Sequence, residues 1–286
     1  MSLTAATLER FPRVGRLRSI DAELNYLAPM RERPRTYTYD PPPGVPRTTF
    51  TDESHRVPIH DMRPLGDEVS LDRHGFALVD HRSAVRDFSD EDEIKRVYYP
   101  ESEALLQHAT GADRVFIFDH TVRRRVPGSR DRGPGPRQPA LRVHVDHTER
   151  SAPQRVRDLL PEEAAHLLNF RVQVMNLWRP IRWPVRDAPL AVADARSIAP
   201  ADLVAADLVH RDRVGESYAV TFNPAHLWFY VPEMRPDEGL LFKCYDSEVD
   251  GRARFTPHSA FIDATAPPDA PPRESIELRM LLFHLH

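Results

Sequence analysis

The sequence predicts a mainly β protein with flanking helices, built on a two-sheet jelly roll. Three observations lead there. Short apolar runs, most with strand-like alternation, recur from residue 114 to the end. Turn-forming residues separate them, and the chain carries 28 prolines. Few helical patterns lie between the strands, which disfavours a doubly wound parallel sheet.

Taken in order, residues 1–75 are rich in Pro, Arg and Tyr and contain the breaker "YDPPPGVPRTT". Such a stretch reads as extended arms and turns packed on a larger body. Residues 88–109 read as two helices with Ser89 as N-cap, and further helices are expected near 153–169 and 200–208. The strands then follow: "RVFIFDH" (114–120), "ALRVHVD" (140–146), "FRVQVMNLW" (170–178), "PLAVAD" (189–194) and "SYAVTF" (217–222). "HLWFYV" (226–231), "GLLFKCY" (239–245), "HSAFID" (258–263) and "ESIELRMLLFHL" (274–285) complete the set. The expected organisation is one domain over residues 1–286. An N-terminal arm and helices (1–112) pack on a jelly-roll core (113–286).

Composition narrows the function. The net charge of −4 leaves no basic excess for a nucleic-acid partner. A single cysteine, Cys244, excludes an intrachain disulfide framework. The N-terminal segment lacks the apolar core of a signal peptide, and no apolar run reaches 18 residues. A soluble cytoplasmic protein without a membrane partner is expected. Nothing in the composition speaks to oligomeric state.

The chemistry is concentrated in "ALRVHVDHTE", residues 140–149. Alternate strand residues share a face, so His144 and Asp146 point one way and Val143 and Val145 the other. One side is apolar and the other can hold an ion. A second His-x-Asp, His210 and Asp212, sits between charged flanks without strand alternation and reads as a surface loop. A His–Asp pair of this spacing also occurs as a plain buried hydrogen bond. A facial triad of two His and one carboxylate would need another imidazole returned by the fold. His147 faces the wrong way, His166 falls in a helix, and His284 and His286 are terminal. His226 and His258 remain. His258 is favoured because it opens a late strand after the polar loop "DSEVDGRARFT".

In the last strand Arg273, Ser275, Glu277 and Arg279 share one face, opposite Ile276, Leu278, Met280 and Leu282. An Arg beside a hydroxyl can grip a carboxylate through charge-assisted bonds. The plain alternative is a solvated face with Glu277 paired to an Arg.

The chain resembles the CmcJ-like non-haem iron(II), 2-oxoglutarate-dependent oxygenases of secondary metabolism, which include hydroxylases and desaturases. The likeness runs over most of the sequence. It rests on "SLDRHGFALVDHRSAVRDFSD" (70–90), "YYPESEALL" (98–106), "VFIFDHTVRRR" (115–125) and "VHVDHT" (143–148). It continues in "NLWRPI" (176–181), "PLAVADARSI" (189–198), "LWFYVPEMRPDEGLLFKCYDS" (227–247), "PHSAFID" (257–263) and "PRESIELR" (272–279). The resemblance implies a double-stranded β-helix core, cupin-like, and Fe(II) held by His144, Asp146 and His258. It implies 2-oxoglutarate on Arg273 and Ser275, with Arg279 as a rival. It further implies O2-driven oxidation of an unactivated C–H bond in a small metabolite, releasing succinate and CO2. The outcome would be hydroxylation, desaturation or oxidative cyclisation, as in antibiotic biosynthesis.

Arg123, Asn176, Trp178, Arg179, Tyr230 and Lys243 are candidate substrate contacts, each weighed against core packing or an ordinary ion pair. Two rival functions share the same donors. One is a cupin-like zinc-dependent hydrolase or isomerase. The other is a non-catalytic small-molecule-binding protein.

Overall fold

The computed structural model describes residues 14–129 and 136–286. Two sheets form the core. The larger has nine strands in the order β1-β3-β11-β8-β13-β6-β10-β9-β2. These are β1 (Ser19–Leu27), β2 (Arg35–Tyr37), β3 (Asp52–Asp61), β6 (His144–Val145) and β8 (Leu190–Ala193), with β9 (Leu203–Val209), β10 (Val214–Val220), β11 (Trp228–Tyr230) and β13 (His258–Ala260). The smaller has five, ordered β4-β12-β7-β14-β5. They are β4 (Phe76–Asp80), β5 (Arg114–Arg124), β7 (Arg171–Pro180), β12 (Glu238–Asp246) and β14 (Glu274–His284). Most pairings are antiparallel; β11–β3 and β2–β9 are parallel.

Apolar side chains from both sheets, among them Val145, Val192, Phe229, Trp178, Leu240 and Phe242, meet in the main core. Behind the smaller sheet, Met175, Leu177, Leu241, Leu278 and Met280 pack against Ile94, Tyr98 and Leu106 of a helical segment. The β14 alternation therefore divides as expected. Its even-numbered apolar residues from 276 to 282 face the helix, and Ser275, Glu277 and Arg279 lie on the opposite face.

Several expectations change. Residues 19–80 supply β1 to β4 instead of arms laid over the body: the antiparallel β1–β3 pair extends the larger sheet and β4 edges the smaller one. The two helices expected over 88–109 form one continuous helical run. It comprises α1 (Glu91–Glu93), a π-helical turn (Ile94–Tyr98) and α2 (Tyr99–Thr110). Its N-cap is Asp90, whose carboxylate accepts from the Asp92 and Glu93 amides, not Ser89. The helix expected at 200–208 is a short 3-10 turn followed by β9, because residues 203–209 pair with β10 and β2. The strand expected over 140–146 keeps ladder pairing only at His144 and Val145. Around 153–169 the structure has α3 (Ser151–Leu159) and α4 (Ala164–Leu167). His210 lies in the turn between β9 and β10, as its charged surroundings predict.

Candidate metal centre

β6 and β13 are neighbours in the larger sheet, and His258 is directly opposite His144 in their register. That pairing joins two residues 114 positions apart (258 minus 144). The two rings lie 4.3 Å apart between centroids. Asp146 follows β6, with Oδ1 3.3 Å from His144 Nε2 and 3.8 Å from His258 Nε2. One donor atom from each of the three residues lies within 4.8 Å of the others. Among the described residues this is the one such cluster of three.

Both imidazoles are oriented by the backbone. His144 Nδ1 donates to the Arg142 carbonyl at 2.7 Å, and His258 Nδ1 to the Thr256 carbonyl at 3.1 Å. A carbonyl only accepts, so each ring carries its proton on Nδ1 and turns the Nε2 lone pair inward. Burial, reinforced by the neighbouring His144, pushes His258 down to about 4. It is therefore neutral and available as a donor near pH 7.

Asp146 is held from the other side. Its Oδ2 accepts from Asn176 Nδ2 at 2.8 Å and from Arg279 Nε at 3.1 Å. Burial alone would raise this carboxyl. Arg279 beside it outweighs burial and holds it well below the usual carboxylate range. Two imidazoles and an ionised carboxylate on one side of a site form the donor set of a facial triad, which suits ferrous iron and leaves positions for other ligands.

Thr256 is itself placed by a close approach. Its hydroxyl donates to the Gly75 carbonyl at 2.9 Å. A Cβ on Gly75 would sit 2.2 Å from that hydroxyl, and Gly75 has φ +92°. Only glycine fits there without strain.

A narrow cavity is lined by His144 and His258 together with Arg123, Arg273, Glu277 and Arg279. Arg273 is 3% exposed. Its Nε donates to Ser275 Oγ at 3.0 Å and Nη1 to the Ala188 carbonyl at 2.9 Å, above the Trp178 ring. Among the described residues no carboxylate lies within ion-pair distance of its guanidinium. Burial, reinforced by Arg123, pushes it down to about 9. It stays charged near pH 7 but lacks an anion. Two buried polar atoms nearby, Trp178 Nε1 and Asn176 Oδ1, also have no hydrogen-bond partner among the described residues. A cavity lined by a buried cation that lacks an anion fits a small acidic ligand.

Arg279 is the opposite case. Beyond Asp146 it binds Asp119 at 3.0 Å, Thr121 at 2.9 Å and Glu277. Burial opposes its charge, but Glu277, Asp146 and Asp119 raise it further. With its donors occupied by carboxylates, Arg279 is a support for Asp146, which corrects its reading as a rival anion-binding residue. The expected Glu277–Arg pair is this one.

The substrate candidates separate in the same way. Arg123 lines the cavity and donates to the Gln138 carbonyl at 2.7 Å. Asn176 bonds to Asp146, and Trp178 underlies Arg273. Arg179, Tyr230 and Lys243 do not belong to the site. Arg179 is buried under Phe88 and Tyr98 and donates to the His81 and Pro236 carbonyls. Tyr230 packs edge-on against Phe261. Lys243 is fully buried on the far face of β12, paired with Asp72 at 2.6 Å and Asp246 at 2.7 Å. His226, the other candidate for the third donor, is paired with Asp202 at 3.0 Å. Sequence reasoning missed Asp119 and Thr121, although their alternation with Arg123 in "FDHTVR" marks one face of a strand.

Comparison with known proteins agrees with this geometry. The family described as "Oxidoreductase/YMDC permease-like domain" matches residues 24–283. The chain is 35% identical to the Fe(II)/2-oxoglutarate-dependent dioxygenase nvfI of Aspergillus novofumigatus, covering 86% of this chain and 90% of that protein. It is 36% identical to the hydroxylase/desaturase efuI of Hormonema carpetanum, over 79% and 83%. The solved structure of the iron and alpha-ketoglutarate-dependent endoperoxidase NvfI superposes with a TM-score of 0.84 at 34% identity, covering 94% of this chain and 99% of that one.

Proposed function

This chain belongs to the iron(II)/2-oxoglutarate-dependent dioxygenases, and from that premise we propose which of its residues perform the reaction. His144, Asp146 and His258 hold the iron. Arg273, with Ser275 fixing its guanidinium, receives the distal carboxylate of 2-oxoglutarate. The observation that carries this reading is the shared cavity. Two inward-turned Nε2 atoms and the buried, anion-less Arg273 line the same space.

When bound, iron with 2-oxoglutarate and O2 supplies the oxidant that breaks a substrate C–H bond, with succinate and CO2 released. The chain's own residues do the rest. The Arg142 and Thr256 carbonyls keep both rings in the donor tautomer. Asn176 and Arg279 occupy Asp146 Oδ2 and leave Oδ1 facing the imidazoles. Arg279 also keeps the carboxylate ionised. Arg123 stands in the cavity wall beside Arg273, where it raises the local positive potential. Trp178 forms an apolar floor under Arg273 and excludes water from that end. Positioning of the substrate carbon then selects hydroxylation, desaturation or ring closure.

The substrate is a small molecule, as the family implies, and its place is the large cleft that opens over His144 and Asp146. We assign residues 1–286 to one oxygenase domain acting on a secondary metabolite in the cytoplasm, without nucleic-acid or membrane partners. Among the described residues no helix is long and apolar enough to cross a membrane. The relatives' chemistry displaces the zinc-hydrolase or isomerase reading and the non-catalytic one.

Anaerobic addition of Fe(II) and 2-oxoglutarate tests the assignment. A weak metal-to-ligand charge-transfer band is expected in the parent protein and absent in His144→Ala and Asp146→Ala, with both variants folded by circular dichroism. A full band in either variant removes that residue from the metal site.

A further inference from the structure

The large cleft over the metal site is walled by β5, β6, β10 and α3, and Arg155 is among the cations in it that the reaction does not use. Arg155 projects from α3, half-buried, with its guanidinium 5.6 Å from the centre of the Phe118 ring. Phe118 is the extra residue of a β-bulge: the β14–β5 register steps from Asp119 directly to Ile117. A bulge of this kind re-aims a side chain. Here it sets Phe118 toward the cleft, 6.5 Å between ring centres from His147, the residue after Asp146.

Most other arginines of the cleft are committed. Arg33 pairs with Asp207 and Glu216, Arg142 with Asp52 at 2.6 Å, and Arg150 with Glu216 at 2.5 Å. Among the described residues Arg155 has no hydrogen bond and no carboxylate within ion-pair distance. Asp158 and Asp119 face it from farther off. Burial and the nearby Arg213 and Arg279 outweigh them and make its charge costly. A half-buried guanidinium on an aromatic face, beside another cation, is a receptor for an incoming anion. Apolar groups such as Phe50, Leu141 and Leu159 line the same cleft.

We propose that the substrate is an amphipathic acid whose carboxylate is bound by Arg155 over Phe118, with its apolar body lying across the cleft toward the metal. The inference rests on the oxygenase reading and adds the substrate class. Arg155 acts in recognition, by anchoring one end so that a fixed carbon reaches the oxidant.

The test uses two dyes with one body: 8-anilinonaphthalene-1-sulfonate, which is anionic, and N-phenyl-1-naphthylamine, which is neutral. Each is titrated by fluorescence into the protein loaded anaerobically with Fe(II) and 2-oxoglutarate. The parent should prefer the anion. Arg155→Met, which retains contact with Phe118, should bind the anion about tenfold more weakly, as for a lost charge-assisted bond, and the neutral dye equally well. Arg155→Lys should recover part of the loss. Equal affinity of the two dyes for the parent, an unchanged anion affinity in Arg155→Met, or a parallel loss for both dyes overturns the proposal. The charge-transfer band is read in the same samples. Its absence from the parent would count against the oxygenase site, and its presence in Arg155→Met isolates the effect to the cleft.

Discussion

Arg279 donates its Nε to Asp146 Oδ2 at 3.1 Å while its other nitrogens hold Asp119, Glu277 and Thr121. One guanidinium thus bridges three carboxylates behind the metal site. Arg279→Met leaves them mutually repelling and partly buried. The expected cost is about 3–5 kcal/mol in urea unfolding, the range for breaking a buried ion pair. Iron affinity should fall about 10–100-fold, as for other groups that orient a ligand. Unaltered Co(II) titration in a folded variant would refute the orienting role.

Arg273 has no anionic partner, so its removal should act on 2-oxoglutarate and leave iron binding intact. Arg273→Ala should weaken 2-oxoglutarate by about 2–5 kcal/mol, the cost of truncating one member of a buried charge pair. Ser275→Ala should weaken it less, because Ser275 only fixes the Nε. Anaerobic titration of the charge-transfer band reads both. An unshifted midpoint in Arg273→Ala would move the role elsewhere.

Gly75 touches the metal site only through Thr256. Gly75→Ala forces a Cβ into the space of the Thr256 hydroxyl at a positive φ. The Thr256 carbonyl that orients His258 must then shift. Weaker iron binding and a lowered unfolding midpoint are expected together. Loss of stability with iron affinity unchanged would show that the Thr256 carbonyl does not govern His258.

Four buried histidines, His74, His81, His147 and His258, are each pushed down to about 4, in every case chiefly by burial. Their folded values lie below the unfolded value near 6.5, so the unfolded chain takes up protons first as pH falls. Stability should drop between about pH 6.5 and 4, by roughly 1 kcal/mol per histidine per pH unit. Apo-protein urea midpoints compared at pH 7.5 and 5.5 measure this. A midpoint unchanged on acidification would mean the four rings are not buried in the neutral form.

The local signals were readable one segment at a time. Alternation located β5, β7, β12 and β14 and both faces of β14, because a half-buried strand needs that period wherever it lies. His144 and Asp146 were readable for the same reason: two positions on one strand share a face. Residues 203–209 show the limit. Their strand state comes from pairing with β10 and β2 and not from local preference. Residues 19–80 joined the sheets through partners as distant as β11 and β12.

What the linear sequence determined was the donor set, the apolar period of each strand and the family that both imply. What the tertiary structure alone decided was which charges are free. Arg273 and Arg279 are three alternations apart on one face and chemically identical. The fold brings Asp119 from β5, Asp146 from the other sheet and Glu277 of β14 to Arg279, and brings no carboxylate within ion-pair distance of the Arg273 guanidinium among the described residues. Lys243 and Arg179 are likewise committed only by their three-dimensional neighbours. Pairing between charges depends on distances of a few ångströms across the fold, and those distances are properties of packing, not of order along the chain.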